Sequence, residues 1–168
     1  MDAVKENLES DAAGGLAAYS DDDIRTAMEL LFFAYRDFTA EPDIILQEFD
    51  FGRAHHRVIH FVGRNPGITV SELLSILRIT KQSLSRVLGQ LIREGFVAQE
   101  AGAADRRQRL LRLTGKGHDL ELRVSQDQRG RIQRAFAAAG PVGVDGFCRV
   151  LKAMIIDQDD VPEPGGES

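Results

Sequence analysis

With 168 residues, 43% of them hydrophobic and 28% charged, the chain suits one compact domain or one domain with a small helical appendage. No stretch approaches the roughly 18–20 uninterrupted apolar residues of a membrane span, and the first twenty residues lack the apolar segment of a secretory signal. The net charge of −5 is unevenly placed, with 13 acids against 3 bases in residues 1–50 but 13 bases against 6 acids in residues 78–134.

A basic block inside an acidic chain is the local footprint to which phosphates respond, although a solvated charged face has the same composition. The one cysteine, Cys148, can neither close an intramolecular disulfide nor build a thiolate zinc site. A cytoplasmic protein with no membrane partner is expected.

In chain order, residues 1–20 are acidic, rich in Ala and Gly and without periodicity, which predicts a mobile tail. From residue 21 to about 39, Ile24, Met28 and Leu31 recur at helical intervals, and Pro42 should end or bend that helix. A second helix is expected from about Ile44 or Phe51 to Val62, with Val58, Ile59 and Val62 on one side. The string Arg64-Asn65-Pro66-Gly67 closes it as a turn.

Thr69, followed three residues later by Glu72, reads as a capping box that starts a short helix through Leu73, Leu74 and Leu77. Arg78, Ile79 and Thr80 separate it from a further helix that Thr80 caps and Gly95 ends. That helix places Leu84, Val87, Leu88 and Leu91 on one stripe. Two short helices joined by so tight a turn have the helix-turn-helix layout, which an ordinary helical hairpin in a bundle shares.

The opposite face of the second helix separates these alternatives. At about 100° per residue, Gln82, Arg86, Gly89 and Arg93 lie away from the leucines, with Lys81, Ser83 and Ser85 flanking them at the N-terminal end. No acid occurs between Glu72 and Glu94, whereas the outer face of a bundle helix usually carries glutamates. Gln and Arg can reach adenine and guanine edges bidentately, and Ser and Lys suit phosphates or bases. This face points to double-stranded DNA, with Gln82, Ser83 and Arg86 on bases and Lys81, Ser71, Arg78 and Arg109 on phosphates.

Residues 96–100 and 108–113 read as two strands, joined by a loop with a basic tip at Arg106 and Arg107. A hairpin directly after a helix-turn-helix is a wing, and its arginines could enter a narrow minor groove or neutralise Glu94 and Glu100. Thr114 caps a long polar helix over residues 116–139, which Gly140-Pro141 breaks. Val144, Phe147, Val150, Leu151, Met154 and Ile155 then form an apolar stripe too large to leave exposed on a monomer. The last residues, 158–168, hold acids, prolines and glycines and are expected to be a flexible acidic tail.

Five strings in this order resemble the MarR family of bacterial winged-helix regulators: Ile68-Thr69-Val70-Ser71-Glu72-Leu73-Leu74, Thr80-Lys81-Gln82-Ser83-Leu84-Ser85-Arg86-Val87-Leu88, Leu91 with Glu94-Gly95-Phe96-Val97, Asp105-Arg106-Arg107, and Leu113-Thr114-Gly115-Lys116-Gly117. The strings at residues 33–39 and 51–62 further resemble an alphaproteobacterial branch of that family. The resemblance covers residues 21–157. It implies a mainly α fold with a small β-hairpin wing: a winged helix-turn-helix at residues 51–115, with helical dimerisation segments at residues 21–50 and 116–157. It also implies a homodimer reading a pseudo-palindrome, with Asp105 as a brace and Arg106 or Arg107 as the minor-groove contact.

Many members of the family that the chain resembles respond to small phenolic or anionic ligands. Phe32, Phe33, Tyr35, Arg36 and Phe38, with His55, His56 and His60, are the candidates for such an effector pocket, Arg36 as counter-ion. The same aromatic stripe reads first as plain core.

His56 and His60 are spaced i, i+4, but without an H-E-x-x-H string or a neighbouring Cys or Asp cluster they read as structural or pH-responsive rather than as metal ligands. No cofactor is expected. There is no nucleophile elbow, phosphate-binding glycine loop or zinc motif, so an enzyme is not expected. The alternative reading is a nonspecific DNA-binding or protein-interaction winged helix without an effector.

Overall fold

The computed structural model describes residues 19–102 and 108–155. The elements are α1 (Asp21–Gln47), α2 (Arg53–Arg64), β1 (Ile68–Thr69), α3 (Val70–Leu77), α4 (Lys81–Arg93), β2 (Val97–Ala101), β3 (Arg109–Leu113) and α5 (Gly115–Met154). The architecture is mainly helical with a small antiparallel sheet of order β1-β3-β2, as expected of a winged helix. The chain divides into two compact units, Met1–Ala40 and Glu41–Ser168. The tip of the expected wing, with Asp105, Arg106 and Arg107, lies outside the described residues, as do nearly all of both expected tails.

Ser20 starts α1: its hydroxyl oxygen accepts from the Asp23 amide at 3.2 Å, while the Asp23 carboxylate accepts from the Ser20 amide at 2.9 Å. Asp21, Asp22 and Asp23 place negative charge at the positive end of the helix dipole. The helix does not stop near Thr39, as the proline suggests, but runs through Pro42 to Gln47. A proline inside a helix costs about 3 kcal/mol or more through one lost hydrogen bond and a clash. Here Pro42 and, one turn on, Leu46 are completely buried, and each such side chain returns about 1.5–3 kcal/mol. Packing therefore outweighs the backbone penalty.

Phe49, Phe51 and Phe96 form the next knot, with Phe96 meeting the other two rings edge-on at 5.3 and 5.0 Å. It ties the approach to α2 to the end of α4. Val58, Ile59 and Val62 of α2 are buried, as their spacing predicts. The Thr69–Glu72 capping box is formed: Glu72 N donates to Thr69 Oγ1 at 3.2 Å, and Thr69 N donates to Glu72 Oε2 at 2.7 Å. Those bonds hold the Glu72 carboxyl below its usual range.

Arg78 ends α3 in the left-handed conformation (φ 49°), and Thr80 caps α4 by accepting from Ser83 N at 3.1 Å. Leu84, Val87, Leu88 and Leu91 are all buried, so the hydrophobic stripe of α4 is its core face.

β2 and β3 form the expected hairpin, in register from Val97↔Leu113 to Ala101↔Arg109, each strand starting one residue later than its sequence pattern. Phe96 belongs instead to the turn, donating its amide to Leu91 O. β1 is an addition that the pattern does not announce, since two residues carry no periodicity; Ile68 and Thr69 pair with Leu111 and Leu110.

α5 begins on a tight lock. Thr114 Oγ1 donates to Gly95 O at 2.7 Å, and Lys116 Nζ donates to Glu94 O at 3.0 Å while lying 4.0 Å from the centre of the Phe96 ring. The helix is interrupted at Gly140 (φ 68°, ψ 171°), so the expected break at Gly140-Pro141 is present.

Candidate nucleic-acid interface

The face of α4 away from its leucines is uncovered. Lys81, Gln82, Ser83, Ser85 and Arg86 are all exposed, while Leu84 and Val87 between them are buried. Burial of one stripe thus fixes which side chains the helix presents. No acid stands in the first turn of α4, so its positive dipole end is not offset by a carboxylate. Ser83 Oγ accepts from the Thr80 hydroxyl at 2.9 Å and keeps its own proton to donate. Neither Lys81 nor Arg86 forms an ion pair with a described residue.

Part of the remaining basic block is paired within the chain. Arg123 pairs with Glu48 at 2.8 Å, Arg112 with Glu100 at 3.7 Å and Arg131 with Asp127 at 4.0 Å, and Lys116 is spent on the lock of α5. Lys81, Arg86 and Arg93 of α4 are part of the positive charge that stays outside these pairs.

The other expected contacts lie on neighbouring elements. Ser71 is exposed in the first turn of α3, Arg78 is exposed at the turn between α3 and α4, and Arg109 is exposed at the start of β3. Asp105, Arg106 and Arg107, the expected brace and groove arginines, fall outside the described residues.

The effector candidates divide between the two units. In the first, Phe32 and Tyr35 are exposed, and Phe32 meets Phe33 edge-on at 5.8 Å. Arg36 already has a counter-ion: its Nε donates to Asp37 Oδ1 at 2.8 Å, and its guanidinium sits 5.0 Å from the centre of the Phe33 ring.

In the second unit, both ring nitrogens of His55 are engaged. Gly52 N donates to Nδ1 at 3.1 Å, which leaves the proton on Nε2 for Gln90 Oε1 at 3.0 Å, and the ring stacks on Phe51 at 4.7 Å. His55 thereby joins the start of α2 to α4. His56 and His60 lie side by side with centroids 6.4 Å apart, and His60 Nδ1 is 3.8 Å from Glu121 Oε1 of α5. Burial pushes the pKa of both imidazoles down, and Glu121 opposes that shift. Among the described residues no group of three His, Cys, Asp or Glu is arranged to hold a metal ion.

A cleft of about 1010 Å³ in the second unit contains none of these candidate residues. Ile45 and Leu122 give it an apolar patch, and Arg129 and Arg134, with the Glu48-paired Arg123, stand in its lining beside the carboxylates of Glu41 and Asp127. The helical spacing of the α5 residues is visible in the sequence. Their meeting with Glu41 and Ile45 of α1 is not, because Pro42 conceals the continuation of that helix.

A family model described as the MarR family matches residues 49–108. The chain is 52% identical over 146 residues to the HTH-type transcriptional regulator PetP of Rhodobacter capsulatus, spanning 86% of this chain and 88% of that protein. In fold it is similar to Streptococcus pneumoniae FabT crystallised in complex with DNA, at 18% identity and a TM-score of 0.69 over 79% of this chain and 94% of that one. It is also similar to MarR of Oenococcus oeni, at 20% identity and a TM-score of 0.62 over 78% and 99% of the two chains. With the helix-turn-helix, the wing strands and the relative at 52% identity agreeing, the chain belongs to the MarR family of helix-turn-helix transcriptional regulators.

Proposed function

We propose that the protein regulates transcription by binding a pseudo-palindromic operator as a homodimer, with α4 of each copy in the major groove. Gln82, Ser83 and Arg86 read base edges; Lys81, Ser71, Arg78 and Arg109 hold phosphates, and the wing arginines reach the minor groove. The observation that carries this reading is the acid-free, exposed face of α4, on which the residue types suited to base edges stand opposite a buried leucine stripe. The fold shared with FabT, crystallised with DNA, supports it.

Pairing is supported by the apolar residues left uncovered on one chain. Ile24, Met28, Leu31 and Tyr35 on α1, and Phe147, Val150 and Met154 on α5, remain between 45% and 67% exposed. A two-fold dimer places its half-sites about 34–36 Å apart. Modulation by a small anionic or aromatic ligand belongs to the same reading, supported by the arginine-lined cleft.

Selection of duplexes from a random pool on the purified protein tests the proposal. Convergence on a two-fold sequence, bound roughly a thousandfold or more tighter than a scrambled duplex, is expected. A pool that never converges, with binding set by salt alone, would favour the nonspecific alternative.

A further inference from the structure

Gly89 lies inside α4, on the outward stripe of Gln82, Arg86 and Arg93. Glycine is the least favourable residue in a helix interior after proline, because it leaves the unfolded chain most freedom to lose. The backbone does not require it, since Gly89 is not among the positive-φ glycines. Nor does crowding, because a Cβ built at Gly89 meets nothing within 4 Å.

The helix is held in place around it. Gln90, the next residue, is tied to His55, and Arg93 Nη1 donates back to Gly89 O at 3.4 Å. Nothing described in the chain asks for a missing side chain here. The result is a partly exposed stretch of helix backbone that carries no side chain of its own, bracketed by Arg86 and Arg93.

A helix with its side chains is about 10–12 Å across, and the major groove is about 12 Å wide. A helix seated there has almost no lateral room, so one absent side chain on the groove-facing stripe decides how closely a strand can approach. We infer that Gly89 is the point of closest approach between α4 and one strand of the duplex, where the sugar–phosphate wall closes onto bare backbone. Arg86 and Arg93 supply positive charge on either side of that contact. Gly89 is thus a positioning residue for DNA binding. The inference rests on the reading of α4 as the DNA-binding helix and names the contact that sets its depth.

The test combines thermal unfolding of the free protein with anisotropy titrations of wild type, Gly89→Ala and Gly89→Leu, against the selected duplex and a scrambled one. The midpoint of free Gly89→Ala is expected to rise, since alanine restores helix propensity in open space. Its affinity for the selected duplex should fall, and that of Gly89→Leu should fall about five- to hundredfold, the range of an overpacked close contact. A wild-type protein without preference between duplexes would overturn the reading of α4. A wild type that discriminates while both variants bind as tightly would overturn the inference about Gly89 alone. A lowered midpoint for Gly89→Ala would show that the fold itself needs the glycine, and would overturn it as well.

Discussion

Gly117 shows how closely single residues are fixed in this fold. A Cβ there would overlap the backbone carbonyl of Phe96, which cannot swing aside because Phe96 O also accepts the Thr114 amide and its ring sits in the core. Gly117→Ala should therefore destabilise the protein by about 2–4 kcal/mol, read from denaturant midpoints, at the upper end of the cost of overpacking. An unchanged midpoint would mean that α5 does not begin against the turn before β2. The role of Gly117 is invisible to sequence pattern, because the atom it avoids belongs to another element. Thr69 and Glu72 are the contrasting case, since their two bonds span three residues and both partners can be read from one short string. His55 combines the two cases: Gly52 engages it from three residues away, but its bond to Gln90 joins it to a residue 35 positions on.

Among the elements, those with long periodic stripes were legible and those defined by a partner were not. The leucines of α4 and the aliphatic side of α2 are buried as their spacing requires. The break at Gly140 follows from residues that cannot sustain a helix. Continuation of α1 through Pro42 was not legible, because it depends on burial of Pro42 and Leu46. The two-residue β1 exists only because β3 offers it an edge.

His56 and His60 link α2 to α5 and make that packing sensitive to pH. Burial holds both below the ordinary value of 6.5, the charge of His60 adds to the lowering at His56, and the carboxylate of Glu121 works against it at both. Asp43 pulls His56 the same way as Glu121, whereas Arg57 at His56, and Arg64 and Arg129 at His60, reinforce the lowering. Well above 6.5 both imidazoles are neutral in the folded and unfolded states and contribute no pH dependence. As the pH falls through 6.5 the unfolded chain binds protons that the folded chain still resists, so stability is lost on the acid side. Urea midpoints measured at pH 7.5 and 5.5 should fall with pH, and the fall should shrink in the His56→Gln, His60→Gln double variant. An equal fall in both proteins would place the sensitivity elsewhere.

At the scale of the whole molecule, the proposed homodimer would cover the apolar residues that α1 and α5 leave exposed on one chain. Sedimentation equilibrium should therefore return twice the 18.5 kDa of one chain. Phe147→Glu with Val150→Glu should shift the protein to monomer while its helical circular dichroism persists. A wild-type protein that stays monomeric at micromolar concentration would contradict the homodimer.

The winged-helix architecture and the uncovered face of α4 could be foreseen because each rests on local periodicity and capping. The arginine-lined cleft could not, since it joins residues some eighty positions apart, and the expected effector residues fall into two separate units.

On the proposed function, the outward face of α4 reads bases rather than merely gripping phosphates. Gln82→Ala and Arg86→Ala, each titrated against the selected duplex and a scrambled one at the same salt, test it most directly. Losses of about 1–3 kcal/mol on the selected duplex, with much smaller losses on the scrambled one, are predicted. Equal losses on both would show that these side chains touch only the phosphate backbone, and would contradict the assignment of Gln82 and Arg86 as base contacts.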